Sequence, residues 1–299
     1  MWPHFRHVTD EQLLSAAQRW PSVMRMWERQ MRIEGGNTVP GPVLSFCLFG
    51  EGQINDGNFD KAGMFAEMWS DVDGRAGARR DTFRARYFDP LIACIKAAGE
   101  LLPEWRVRIY VESQMGFVKR ELSGFPNVDL VWMAEASIGS TGGFWRLLAA
   151  TDPTVPRFVA CEADDVLSPA LALPIRAWEA SGGLPVMRYF YREPPALWPI
   201  YVPIHAGRWG AVGGVFPRIE WQAAAFLTFQ GELNAERSTH QLGFHVPGHY
   251  CFDEQFLAQV VYAPACKLGM YNDFTFASAA TDAPGDPSTM DLEYQCSAS

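Results

Sequence analysis

The sequence predicts an α/β domain with a mostly parallel sheet flanked by helices, behind an N-terminal helical extension. Short apolar runs suited to buried strands alternate with stretches of helical periodicity through the first half of the chain. Pro and Gly punctuate the joints between them. With 299 residues, 48% hydrophobic and 20% charged, the chain can bury a large core and lacks the composition of a disordered protein.

Taken in order, Thr9-Asp10-Glu11-Gln12 opens a segment in which Leu13, Leu14, Ala17, Trp20, Met24 and Trp27 recur at helical spacing. A Thr or Asp there can cap the first turn, so one N-terminal helix is expected. The stretch Gly35-Gly36-Asn37-Thr38-Val39-Pro40-Gly41-Pro42 is rich in turn formers and leads into Val43-Leu44-Ser45-Phe46-Cys47-Leu48-Phe49, the first buried strand, which stops at Gly50. Over 88–102, Leu91, Ile92, Ile95, Ala98 and Leu102 share a helical face, and Pro103 marks the stop. A second strand over 106–111, a helix around 115–122 and a third strand over 128–133 follow. This alternation predicts parallel strands with helices on both faces, and ligands in such sheets lie outside the carboxyl ends of the strands.

A helix over 143–150, a break at Thr151-Asp152-Pro153 and a fourth strand over 157–161 come next. The remainder is richer in Pro, Gly and aromatics, with a helix near 171–180, a glycine-rich patch over 207–214 and helices near 221–229 and 252–262. From 277 onward the Ser/Ala/Asp/Pro-rich composition suits a poorly packed tail. The expected organisation is an extension over 1–40, a main domain over 41–276 and a tail over 277–299.

The formal charge of −9, a pI near 5.2 and the absence of Lys/Arg runs beyond pairs such as Arg79-Arg80 argue against a nucleic-acid partner. The six cysteines stand singly, without a C-x-x-C pair, and read as reduced thiols. The first residues carry polar and charged groups where a signal peptide has its apolar run, and no stretch of about 18 apolar residues suggests a membrane span. A soluble, cytoplasmic protein is expected.

The densest chemistry lies at Glu162-Ala163-Asp164-Asp165. Glu162 and Asp164 stand at i and i+2, the spacing that puts two side chains on one face of a strand, at the predicted end of the fourth strand. Two carboxylates there suit Mg²⁺ or Mn²⁺, which take oxygen ligands and keep waters and substrate phosphates. The alternative is an acidic turn capping the helix that follows.

The blocks Gly143-Phe144-Trp145-Arg146-Leu147-Leu148-Ala149-Ala150-Thr151-Asp152 and Phe158-Val159-Ala160-Cys161-Glu162-Ala163-Asp164-Asp165 resemble GT-A glycosyltransferases. The likeness is to a bacterial and viral group with an Arg-Asp-x-Asp-Ser motif. Trp178-Glu179, Val186-Met187-Arg188, His205-Ala206-Gly207-Arg208-Trp209-Gly210 and Asp253-Glu254-Gln255-Phe256-Leu257 match further pieces in order. Upstream, Leu48-Phe49-Gly50 and Trp105-Arg106-Val107-Arg108-Ile109-Tyr110 look like the first two strands, and the likeness covers roughly 42–274. It implies a GT-A-like fold, a nucleotide-sugar donor, an acceptor of unspecified kind and a divalent cation, Mn²⁺ or Mg²⁺. By the same resemblance Glu162 and Asp164 take the two acidic positions of the D-x-D motif and hold the metal. Here Cys161-Glu162 replaces the usual Arg-Asp, and Asp165 the following Ser.

Further roles follow from that resemblance. Arg146 would lie beside the donor phosphates, where a permanently charged planar fork suits an oxyanion. Phe49, Gly50 and Glu51 would meet the nucleobase and ribose, and Gly207 belongs to the donor-side glycine patch. Asp253, with Glu254 as a competing candidate, would take the acceptor's proton as general base, and Asp273 would return to the metal late in the chain. For Arg146 the competing reading is a surface arginine paired with Asp152 or Glu135; for Asp253 it is a helix cap. Trp198, Tyr201, Trp209, Trp221 and Tyr250 are candidate stacking surfaces for sugar rings.

Two other functional classes are open on the sequence. The altered motif suits a GT-A fold that has lost turnover and serves as a carbohydrate-binding or scaffold protein. His240, His245, His249 and Asp253 form a second possible metal series, although Pro247-Gly248 interrupts any single helix there.

Overall fold

Thr9 and Gln12 form a reciprocal capping box. The Thr9 hydroxyl accepts from the Gln12 backbone N–H at 3.3 Å, and the Gln12 side chain accepts from the Thr9 backbone N–H at 2.9 Å. They start α1 (Asp10–Arg19), and Pro21 starts a separate α2 (Pro21–Gln30). The single predicted helix is therefore two, because proline has no N–H to continue a helical ladder but fits a first turn. In this computed structural model residues 7–50, 84–189, 203–237 and 252–273 are described.

Among the described residues eight strands form one sheet: β1 (Ile33–Asn37), β2 (Val43–Leu48), β3 (Arg106–Glu112), β4 (Val128–Met133), β5 (Arg157–Cys161), β6 (Val186–Tyr189), β7 (Arg208–Val212) and β8 (Met270–Asp273), in the order β1-β4-β3-β2-β5-β7-β6-β8. Strands β1 and β7 run against the other six. The mostly parallel α/β class is thus observed, with two reversed strands that the sequence hid. Gly35-Gly36-Asn37, read as turn, lies on edge strand β1, where Gly36 lets the Leu130 and Val131 backbone come close. The glycine patch contains β7, because a Cβ on Gly210 would strike the Phe158 carbonyl of the neighbouring strand.

Helices cover both faces. On β2, Val43, Ser45 and Cys47 alternate with Leu44, Phe46 and Leu48, and all six are buried because neither face meets water. Leu44, Phe46 and Leu48 join a core with α3 (Asp89–Leu101), α4 (Gly116–Leu122) and α5 (Pro169–Ala180). The opposite core takes α1, α2, a 3-10 helix (Gly139–Ala150) and α6 (Ile219–Arg237). It is completed by α7 (Phe252–Phe256), which runs through a wider-wound segment (Leu257–Val261) into α8 (Tyr262–Leu268). Trp27 of α2 is almost wholly buried there, and Trp145 donates its Nε1–H to the Gln30 carbonyl at 2.7 Å. The N-terminal helices are thus packed against the main sheet's own core.

The segment expected as an α-helix over 143–150 is the buried 3-10 helix Gly139–Ala150. Its tighter winding suits close quarters: a Cβ on Gly142 would collide with the Phe49 ring, and one on Gly143 would lie 3.1 Å from Asp253 Oδ2. Ser45 anchors it to the sheet by donating to the Arg146 carbonyl at 2.7 Å. No described helix is long and apolar enough to cross a membrane. Residues 238–251 and 274–299, and with them His240, His245, His249, Tyr250 and the expected tail, lie outside the described residues, as do Glu51, Trp198 and Tyr201.

Candidate functional site

Strand order places the site. The chain steps from β2 to β3 to β4 in one direction and then crosses back to put β5 on the other flank of β2. Such a reversal leaves a crevice beyond the carboxyl ends of the two strands it separates. At this end β2 and β5 no longer pair: their register covers Val43–Ser45 and 158–160, while β2 runs on to Leu48. Phe49 and Gly50 leave β2 on one side of it, and Glu162 leaves β5 on the other.

Beyond Cys161 the backbone turns sharply, with the Asp165 N–H donating to the Glu162 carbonyl at 3.3 Å. Glu162 and Asp164 therefore sit on a turn and not on one strand face, so the period-2 spacing is not what orients them. Asp164 is exposed, Glu162 is partly buried, and Ala163 between them points into the core. Asp165 forms a 2.9 Å ion pair with Arg208 at the start of β7, which ties the turn to the next strand. The following helix is capped by Ser168, whose hydroxyl accepts from the Leu171 N–H at 3.3 Å, so capping is not the purpose of the acidic turn.

Arg146 is neither on the surface nor paired with Asp152 or Glu135. Its side chain is 4% exposed, and it reaches Glu162 Oε2 at 2.8 Å, the Cys161 carbonyl at 3.1 Å and Asp253 Oδ2 in a very short contact. Burial opposes the charge on Arg146, but Glu162 and Asp253 outweigh it and raise its pKa well above the ordinary guanidinium value. Asp152 instead pairs with buried Arg108 at 2.5 Å, and Glu135 lies 3.5 Å from Arg29. One buried cation thus joins two acids that are 91 residues apart in sequence.

Asp253 lies in the first turn of α7, inside the helix, and its second oxygen accepts from the N–H of the next residue, Glu254, at 3.0 Å, a bond that is not the N-cap contact to a residue two or three further on. Glu254 faces His205, with Nε2 to Oε1 at 3.4 Å. His205 Nδ1 accepts from the Gly207 N–H at 3.2 Å, which leaves the ring proton on Nε2. The inner face of the His205 ring is desolvated, and with Arg208 and Arg146 this lowers its pKa against the pull of Asp253 and Asp165; because the side chain is 36% exposed, water screens part of that shift. Gly207 needs its missing side chain: a Cβ there would run into Glu162 Cγ and lie 2.7 Å from Oε1.

Three groups at this site were not singled out from sequence. Glu112 ends β3 fully buried, accepting from the Gly50 N–H at 2.7 Å and the Ser137 N–H at 3.0 Å, and so clamps the exits of β2 and β4. The Gly50 φ of 102° is a left-handed conformation that favours glycine at this bend. The signal for Glu112 was an acid following the apolar run Ile109-Tyr110-Val111 at the strand's end. His205, Arg208 and Asp165 lie in the sequence blocks that carry the resemblance, but nothing local to those blocks announces the Asp165–Arg208 pair or the approach of His205 to Glu254.

Other candidates stand apart from the crevice. Asp273 ends β8, three strand spacings or about 14 Å from β5, so the sheet does not bring its backbone to Glu162 and Asp164. Among the described residues no group of three or more His, Cys, Asp or Glu side chains could by itself hold a metal. Trp209 is fully buried edge-on against Phe158 and is core, not a sugar platform. Trp221 lies under the Arg218 guanidinium at 4.7 Å. Cys47 and Cys161 are pushed up by burial, Cys47 to about 12, and neither is a thiolate nucleophile. No known family profile matches this chain, and no curated protein is significantly similar to it.

Proposed function

We propose that the crevice is the donor site of a glycosyltransferase of the GT-A type, which moves a sugar from a nucleotide donor to an acceptor. The observation that carries this reading is the convergence of the β2 exit (Phe49, Gly50), the acidic turn after β5 (Glu162, Asp164), Gly207 and the Arg146–Asp253 pair at one topological switch point. Five separate stretches of the sequence resembling that family meet there.

The charge balance bears on the cation. Among the described residues Arg146 pairs with Glu162 and Asp253 and Arg208 with Asp165, so two arginines meet three carboxylates at this rim, to which Asp164 and Glu254 add acids. A diphosphate entering such a rim is repelled unless a cation accompanies it. The donors present are hard oxygens, the kind Mg²⁺ and Mn²⁺ prefer, and such ions take one or two carboxylates plus phosphates and water. Glu162 and Asp164 are the residues that would hold it, with Asp273 outside the set. When bound, it supplies neutralisation of the leaving diphosphate.

The chain's own residues do the rest. Glu112 fixes the Gly50 backbone where the nucleoside would lie, and Arg146 holds Glu162 and Asp253 in a fixed mutual orientation from below. An acid in the first turn of α7 receives the acceptor's proton. Titration of nucleoside diphosphates into the protein with Mn²⁺ tests the reading: binding is expected with wild type and lost in Asp164→Asn, whose fold is intact by circular dichroism. Equal affinity in the two proteins removes the metal role of Asp164.

A further inference from the structure

The N-terminal helices end against the nucleoside side of the crevice. Gln30, the last residue of α2, is 1% exposed, and its polar atoms are bonded to the segment that leads from β4 into the 3-10 helix. Its Nε2 donates to Glu135 Oε2 at 3.4 Å, its Oε1 accepts from the Ile138 N–H at 3.2 Å, and its carbonyl accepts from Trp145 Nε1 at 2.7 Å. The last carbonyls of a helix have no partner within it, so the end of α2 is closed here by a side chain of the helix that carries Arg146. Two routes lead from these bonds to the β2 exit. The Trp145 ring stands edge-on to Phe49, with centroids 6.0 Å apart and planes at 75°. Ser137, next to Ile138, gives its N–H to Glu112, which also holds the Gly50 N–H, and the Ser137 hydroxyl accepts from the N–H of Gly142, whose backbone lies against the Phe49 ring. We infer that Gln30 is a positioning residue for the nucleoside end of the donor site, acting through Trp145 on Phe49 and through the turn at Ile138 on Gly50.

This assignment rests on the glycosyltransferase reading of the crevice and deepens it, because it makes the N-terminal helix pair part of the donor site. The phosphate end is carried by the turn after β5 and by Gly207 ahead of β7, whereas the bonds of Gln30 go to the far flank, beyond β4. Arg146, next to Trp145, is held on its own account: the Ser45 hydroxyl donates to its carbonyl, and Glu162 and Asp253 pair with its guanidinium. The backbone around Gln30 is fixed as well. Met24 and Trp27 seat α2 in the core, and the Arg32 carbonyl accepts from the Ala134 N–H at 2.9 Å where β1 begins to pair with β4. The side chain of Gln30 therefore adjusts a wall whose main chain is already in place. A buried amide needs both its donor and its acceptor satisfied, and an apolar side chain of equal length would fill the space and release Ile138 and Glu135.

The test titrates the full chain, with Mn²⁺ present, with two kinds of probe: uridine, guanosine and thymidine diphosphates, and inorganic pyrophosphate, which lacks the nucleoside. The ratio of the two affinities reads the nucleoside end alone. Q30M keeps the length of the side chain without its bonds and is expected to lower that ratio roughly tenfold, the order of one or two lost hydrogen bonds, with pyrophosphate affinity within about twofold of wild type. Q30E sets a carboxylate against Glu135 and is expected to lower the ratio at least as far. Q30E/E135Q restores the bond with its direction reversed and is expected to recover most of the ratio, while E135Q alone, which gives up an exposed pair with Arg29, is expected to match wild type. Where Q30M or Q30E does not fold by circular dichroism, W145F takes its place: it removes the indole N–H from the Gln30 carbonyl, keeps a ring beside Phe49, and is expected to lower the ratio several-fold. An unchanged ratio in the folded variants, equal losses for both probes, or no recovery in Q30E/E135Q overturns the inference and leaves the donor site standing. A folded wild type that binds neither probe overturns the donor-site reading and this inference together.

Discussion

Replacing Arg146 with methionine strands two carboxylates and is the sharpest structural test of the crevice. Removing one partner of a buried ion pair costs about 3–5 kcal/mol, because the remaining charge stays out of water. Asp253, 16% exposed, falls in that class. Glu162, 32% exposed, reaches solvent and adds no more than the roughly 0–1 kcal/mol of a surface pair. Arg146→Met is therefore expected to destabilise by about 3–5 kcal/mol, a loss on the order of 10 °C in Tm at roughly 2–4 °C per kcal/mol. Adding Asp253→Asn to that variant removes the stranded charge and is expected to restore about half of the loss. Scanning calorimetry at pH 7 reads both numbers. A loss under about 1 kcal/mol in Arg146→Met, or no recovery in the double variant, refutes the buried triad.

Other perturbations read other parts of the site. Glu112→Ala leaves the Gly50 and Ser137 N–H groups unpaired in the core and is expected to cost about 2–5 kcal/mol, with amide exchange at both residues accelerating in hydrogen-exchange NMR; unchanged exchange contradicts the clamp. Gly207→Ala must push Glu162 from its place, so nucleoside diphosphate affinity is expected to fall at least tenfold while Tm shifts by only a few degrees; wild-type affinity counts against a donor role for this turn. His205 folds with its pKa lowered from the ordinary 6.5, so the unfolded chain binds the extra proton first. Stability is then fully present above about pH 6.5 and declines as pH falls below it, and His205→Gln is expected to flatten that decline in urea titrations. Cys47, with its pKa pushed to about 12, is expected to resist iodoacetamide at pH 8 until the protein unfolds, as peptide mass spectrometry would show.

The parallel centre of the sheet was legible because β2, β3, β4 and β5 are short segments dominated by Val, Ile, Leu and aromatics, set between helical stretches and turn formers. Strands β1 and β7 were not, because their glycines serve close backbone approach and look, in sequence, like turns. The acidic turn was visible as composition, but the strand-face spacing that singled it out is broken by the bend after Cys161. Arg146 and Asp253 were both visible as candidates, yet nothing in the sequence connects residues so distant, and only the sheet's return to β5 brings them into contact. His205 needed the third dimension entirely, since its approach to Glu254 is a tertiary contact.

The central claim is that the crevice between β2 and β5 holds a nucleotide sugar. Crystals soaked with a nucleoside diphosphate and Mn²⁺ test it most directly. Electron density for the diphosphate against Asp164 and Glu162, with the nucleoside beside Phe49 and Gly50, is the result predicted. A nucleotide bound elsewhere, or a crevice that stays empty at millimolar ligand, contradicts it.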